Sequence, residues 1–202
     1  LYDLGVEIEE NSELDLYEAY RLHDGDARIS AVAEDMAREL GEGNKHPGIL
    51  CRLAQYEITL LDWIEEHRGD RSYVTLANKC WPAFQAQFGF VPCYVNSRLT
   101  ARGIPVACEV DIWGALSEYI ATCITEDAVT LLDINNTVPN DIYHEDILGR
   151  FGYGKDDVFM GFHCGNTPSC KLVTPEMRYQ RIMYRQLERD QEPDITRGTL
   201  EG

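Results

Sequence analysis

The sequence predicts an α/β fold, a parallel sheet flanked by helices, with a ligand site at the carboxyl ends of the strands. Three observations carry this. Short apolar or β-branched runs at 72–77, 104–108, 128–132 and 158–162 have the length and composition of buried strands. Other segments repeat their apolar residues at spacings of three and four, the helical period. Strand and helix alternate through short links, the order a parallel sheet with right-handed crossovers requires.

Each element has its own local warrant. Residues 1–20 are acidic, with Leu, Tyr and Ala at scattered helical spacings, and favour helix only weakly. From Asp24 to Leu40, Ile29, Val32, Ala33, Met36 and Leu40 share one helical face, with Asp24 placed as N-cap and Gly41 as the stop. Gly41 to Pro47 carries turn chemistry. Ile49, Leu53, Tyr56, Leu60, Trp63 and Ile64 then mark a long helix ending near Gly69. The period changes at Ser72–Ala77, a strand, followed by Cys80-Trp81-Pro82 and a short helix to Phe88. A helix over roughly 92–101 leads into the strand Ile104–Cys108. The clearest helix follows, with Ile112, Ala115, Leu116, Tyr119, Ile120 and Cys123 on one face and Asp111 at its positive end. Ala128–Leu132 reads as a strand, then a polar loop, then the strand Val158–Phe162, and Pro175 to Glu188 as a last helix. Residues 1–190 are expected to form one domain and 191–202 a linker or tail.

Composition bounds the function. The 202 residues carry 18 Lys and Arg against 35 Asp and Glu, a net charge of −17. Such a surface repels phosphate backbones and anionic lipid headgroups, so neither a nucleic-acid partner nor a membrane partner is expected. No apolar run approaches the roughly 18 residues that span a bilayer, and no basic-then-apolar leader opens the chain. With 44% apolar residues a real core can be buried. Seven cysteines, an odd number lying mostly in apolar stretches, suit reduced thiols in a cytoplasmic protein.

The residues standing just after the expected strands are Glu109, Asp133 and His163. In a parallel sheet these tips share one edge, so two carboxylates and an imidazole can converge. Hard carboxylate oxygens suit a divalent cation such as Mn²⁺ or Mg²⁺, and imidazole shifts the choice toward Mn²⁺. A carboxylate beside such a cation could remove a proton next to a polarised carbonyl. The competing role for an acidic residue at a strand-to-helix turn is capping, which Glu109, just before a helix, meets fully and Asp133 less so. Trp81, in its Cys-Trp-Pro turn, is a candidate sugar-stacking face, whereas Trp63 and Trp113 at helical spacing read as core. Cys164 beside His163 does not by itself make a nucleophile, Cys164 and Cys170 lack zinc-knuckle spacing, and Gly149, Gly152 and Gly154 read as a flexible loop.

Gly103-Ile104-Pro105-Val106-Ala107-Cys108-Glu109-Val110-Asp111-Ile112-Trp113-Gly114-Ala115-Leu116 resembles the central motif of the L-fucose isomerase and L-arabinose isomerase superfamily, on the fucose isomerase side. Phe162-His163-Cys164-Gly165-Asn166 and Thr196 to Gly202 resemble later segments of the same family. The resemblance implies a Mn²⁺-dependent aldose–ketose isomerase working through an ene-diol. Glu109 and Asp133 would be metal ligands that also shuttle the proton, while Trp81, His163 and Asn166 would lie on the sugar. It further implies a homo-oligomer, trimer or hexamer, in which this chain is the central domain of a larger enzyme and is inactive alone. The start at Leu1 and the unstructured end at Gly202 suit a piece of a longer protein. The alternative is a carbohydrate-binding or regulatory domain that kept the fold and lost catalysis.

Overall fold

Capping and amphipathic period explain where the helices begin and what they bury. The computed structural model describes residues 1–80, 83–163, 166–179 and 200–201. Helix α1 (Glu13–Leu22) is firmer than its composition suggests, because Ser12 and Asp15 form a reciprocal capping box. Helix α2 (Ile29–Leu40) starts five residues later than expected. Asp24 does not cap it, since a run of turns joined by backbone bonds occupies residues 23–29. Helix α3 (Leu50–His67) runs through the middle of the molecule and buries Leu53, Ala54, Tyr56 and Leu60. Helices α4 (Ala83–Phe88) and α5 (Cys93–Ala101) fall where the periodicity places them.

The core lies among these helices. Tyr56, Phe84, Phe88 and Phe90 pack with ring centroids 4.1 to 5.8 Å apart, mostly edge to face. Beside them, buried Arg98 of α5 reaches Glu57 of α3 (Nε to Oε2 2.6 Å), Asp35 of α2 (Nη2 to Oδ2 2.8 Å) and Glu39. One guanidinium thus ties three helices.

The strands are shorter than expected, and most do not pair as expected. Strand β1 (Leu76–Ala77) runs parallel to β2 (Val106–Ala107), in the register Leu76 to Val106. The fold is mixed α/β, but the described residues hold three two-stranded sheets rather than one larger parallel sheet. Ala128–Leu132 is not a strand. Leu131 donates its backbone N–H to the buried carboxylate of Glu118 (3.1 Å), a hydrogen bond that a sheet neighbour would otherwise take. Strand β3 (Asp133–Asn135) begins only after it and pairs antiparallel with β4 (Met160–Phe162). Between them lie a short helix α7 (Asn140–Ile142) and a wide helical turn over Tyr143–Ile147, in place of a plain loop.

Helix α6 (Ile112–Thr125) lies where expected but buries Gly114, Ala115 and Glu118, and leaves Trp113, Ile120 and Ile124 exposed. Trp113 is therefore not core. The expected last helix is also corrected at its start. Met177 is buried and bonds back to Gly43 and Lys45, and β5 (Arg178–Tyr179) pairs antiparallel with β6 (Leu200–Glu201). The remainder of that expected helix, 180–188, lies outside the described residues. No helix among the described residues is long and apolar enough to cross a membrane.

Candidate functional site

The carboxyl end of the β1–β2 pair is built from two chain segments that stay bonded after the strands end. Asn78 donates its N–H to Ala107 (3.0 Å), and Val110 returns one to Asn78 (3.1 Å). The Asn78 and Asn96 side-chain amides pair reciprocally at 2.9 and 3.1 Å, tying this end to α5. Beneath them the Cys80 and Cys108 sulfurs lie 3.1 Å apart.

Glu109 sits on a sharp corner. It and Val110 take φ of 58° and 61°, the left-handed region that a β-branched valine seldom adopts. Such a corner costs on the order of 1–3 kcal/mol per residue and persists because its surroundings hold it. Here Asp111 donates to the Cys108 carbonyl (3.0 Å) and accepts from the N–H of Gly114 (2.8 Å), which makes Asp111 the N-cap of α6. The capping role open to Glu109 is thereby taken by Asp111. Glu109 is turned outward and exposed.

Asp133 and His163 arrive by a different route. In the antiparallel register Asp133, the first residue of β3, faces Phe162, the last of β4, so His163 follows directly at the same end. Directly after the undescribed 164–165, Asn166 donates its side-chain amide to the Val106 carbonyl of β2. That bond pins the segment after β4 against the strand leading to Glu109. Ser97 of α5 reinforces it, donating to Thr167 O (2.8 Å) and accepting from Ser169 N–H (2.9 Å).

The electrostatics follow from this placement. Asn166 donates its backbone N–H to Nδ1 of half-buried His163 (3.2 Å), so Nδ1 is the acceptor and Nε2 carries the proton of a neutral imidazole. Burial lowers the His163 pKa, while the charges of Asp133 and Glu109 pull it back up. Both carboxylates thus bear on one imidazole. Neither takes part in a hydrogen bond or ion pair among the described residues. Burial also raises the pKa of Glu118, whose Oε2 finds no partner among the described residues.

Of the five candidate residues, then, Asp133 and His163 stand at one end of the β3–β4 pair, and the charge of exposed Glu109 acts on the same imidazole. Asn166 is buried and holds the backbone of β2, with its Oδ1 unpartnered among the described residues. Trp81 lies outside them. Sequence reasoning missed the Cys80–Cys108 and Asn78–Asn96 pairs. The first needs the Leu76-to-Val106 register and the second the packing of α5 beside β1, and residue types at strand ends carry neither. The donor set does not fit a complete Mn²⁺ centre: among the described residues no three or more His, Cys, Asp or Glu side chains are placed to hold a metal ion.

Curated relatives match part of the chain. A sulfoquinovose isomerase of Alkalicoccus urumqiensis is 32% identical over 109 residues, 53% of this chain and 24% of that protein. One of Clostridium sp. (strain MSTE9) is 39% identical over 69 residues, 31% of this chain and 15% of that protein. One of Priestia aryabhattai is 31% identical over 77 residues, 38% of this chain and 16% of that protein. The matched part of the chain therefore spans at most about a quarter of these relatives' length. No family model matches the chain, and no solved structure matches it significantly. These matches correct the expected membership of the L-fucose and L-arabinose isomerase superfamily and the description as fucose isomerase-like, and neither they nor the side chains placed among the described residues support metal binding. The physical reason lies in the motif itself. Residues 103–116 are a strand, a strained corner and a capped helix start, in which Asp111 and Gly114 serve local architecture as much as chemistry.

Proposed function

We propose that this chain supplies the proton-handling part of a sugar isomerase, acting on sulfoquinovose or a closely similar sugar. The observation that carries it is the placement of Asp133 and half-buried His163 at one end of the β3–β4 pair, where the charge of Glu109 also acts on the imidazole. The partial match to proteins named sulfoquinovose isomerase supports it. Isomerisation of an aldose to a ketose moves one proton between adjacent carbons and one between their oxygens. A carboxylate takes the proton from the second carbon and returns it to the first. The Nε2–H of His163 gives a proton to the carbonyl oxygen and recovers one from the neighbouring hydroxyl. The Cys108–Asp111 bond keeps the Glu109 corner in place while this happens.

No step here is routed through a cation. If the protein takes up Mn²⁺, Glu109 and Asp133 would provide two of its ligands. Calorimetric titration tests it, and equal Mn²⁺ affinity in wild type, Glu109→Gln and Asp133→Asn refutes it.

The isomerase reading is tested with the longest polypeptide containing this chain, following sulfoquinovose in D2O by NMR. Ketose formation with deuterium entering the sugar is expected, reduced roughly 10²–10⁴-fold in Glu109→Gln or Asp133→Asn. Sugar binding without ketose or deuterium incorporation sinks the reading in favour of a binding domain. Undiminished turnover in both variants removes Glu109 and Asp133 from the chemistry and overturns the mechanism.

A further inference from the structure

The two strand-end thiols do something the sugar chemistry does not use. Cys80 and Cys108 leave the parallel pair side by side, with sulfurs 3.1 Å apart, and both are buried. A disulfide needs about 2.05 Å, so closure asks for a shift of about 1 Å, within reach of small side-chain rotations. The strands that carry them are already held in register.

The geometry points to Cys80 and Cys108 as a redox modification site, a dithiol that hydrogen peroxide converts to an intramolecular disulfide. The sulfur of Cys80 attacks one peroxide oxygen, the O–O bond breaks, and a sulfenic acid forms as water leaves. The sulfur of Cys108 then attacks the Cys80 sulfur and displaces a second water. In total the two thiols lose two protons and two electrons, and the hydrogen peroxide becomes two waters.

Cys80 is suited to act first. The hydrogen bond from Cys108 holds its pKa below the ordinary thiol value, against burial and the nearby charge of Glu109. The product would bind the Glu109 corner covalently to the end of β1, because Cys108 directly precedes Glu109. It would also close a loop around α4 and α5, with the linked residues 28 positions apart. The inference does not depend on which reaction the site performs.

The test is peptide mapping by mass spectrometry of the whole chain after graded hydrogen peroxide, with free thiols blocked before digestion. A Cys80–Cys108 cross-linked peptide lacking two hydrogens is expected at lower peroxide than any oxidation of the exposed Cys51, Cys123 and Cys170. It should disappear on adding dithiothreitol and be absent in Cys80→Ser and in Cys108→Ser. The oxidised wild type should melt at a higher temperature than the reduced form. The inference is overturned if both thiols remain blockable while the exposed cysteines oxidise. It is also overturned if Cys80 proceeds to sulfinic acid without cross-linking, or if Cys80→Ser still loses two hydrogens.

Discussion

Replacing Arg98 by methionine should be among the most damaging single changes in the molecule. The Arg98 side chain is 2% exposed and contacts Glu57, itself 1% exposed, together with Glu39 and Asp35. Removing one partner of a buried pair typically costs 3–5 kcal/mol, because the remaining charge is left without compensation. Here the cost should fall near the lower end, about 3 kcal/mol. Arg102 still reaches Glu57, and Tyr94 (2.8 Å) and Ser169 still donate to Glu39. With a urea m-value of about 2 kcal/mol/M, the midpoint should drop by roughly 1.5 M. The double change Arg98→Met with Glu57→Met should recover more than half of the loss, since it removes the orphaned charge as well. Acid should narrow the difference. Asp35 is held below its ordinary 3.8 by Arg98. Glu39 would be raised by burial, but its bonds from Ser169, Tyr94 and Arg98 hold it below 4.5. Carboxylates depressed in the folded state contribute stability above their ordinary pKa and lose it as pH falls through the folded one. Wild type and variant should therefore converge below about pH 4. A loss under 1 kcal/mol, or a double variant no better than the single, would show that Arg98 does not tie α2, α3 and α5 together.

Two further outcomes follow from the site. An alanine at Gly114 would drive its Cβ against Asp111 and the side chain of Leu131. Helix propensity alone favours that alanine by up to ~1 kcal/mol, yet overpacking costs about 1–3 kcal/mol, so Gly114→Ala should lower the thermal midpoint; a midpoint above wild type would contradict the close approach. By NMR titration His163 should protonate below the ordinary 6.5, and further below in Asp133→Asn and in Glu109→Gln, since each removes a charge that raises it. Stability resting on this depressed base is present above pH 6.5 and falls as pH drops through the folded value. An unchanged titration in both variants would mean that the carboxylates and the imidazole are not neighbours.

The helices were legible because their evidence is long. The face of α3 repeats over five turns, and α5 and α6 start within a residue or two of their expected positions. Helix α1 was legible too, in the Ser12-to-Asp15 capping spacing, but its scattered apolar residues hid it. Strands of two or three residues carry no such redundancy. Ala128–Leu132 has strand composition, and what decides its fate is a carboxylate thirteen residues away in sequence, Glu118, that takes the Leu131 N–H. Trp113 fails for a related reason. Its spacing marks a stripe on α6, but only the neighbours decide which stripe is covered, and they cover Gly114 and Glu118.

The placement of Asp133 at the strand end that leads to His163 was legible through two departures that offset each other. The sequence reading places Asp133 at the carboxyl end of a strand over 128–132, parallel to the one ending at Phe162. In the structure the strand lies one length further on, at 133–135, and runs the other way, which returns Asp133 to the same end beside His163. A parallel β3 starting at Asp133 would instead have put that carboxylate near Met160, about 7 Å along the strand from Phe162, at some 3.3 Å per residue. The charge of Glu109 reaches the same imidazole, and the Asn166 bond to the Val106 carbonyl holds the segment after β4 against β2. Residue types at element ends survive an error in strand direction better than the topology does, since an end remains an end whichever way the chain is drawn through it. What such reasoning cannot deliver is the pair that needs both strands at once. Cys80 and Cys108 come within 3.1 Å only when the Leu76-to-Val106 register is known, and that register is set by the packing of α5 and α6 around the two strands.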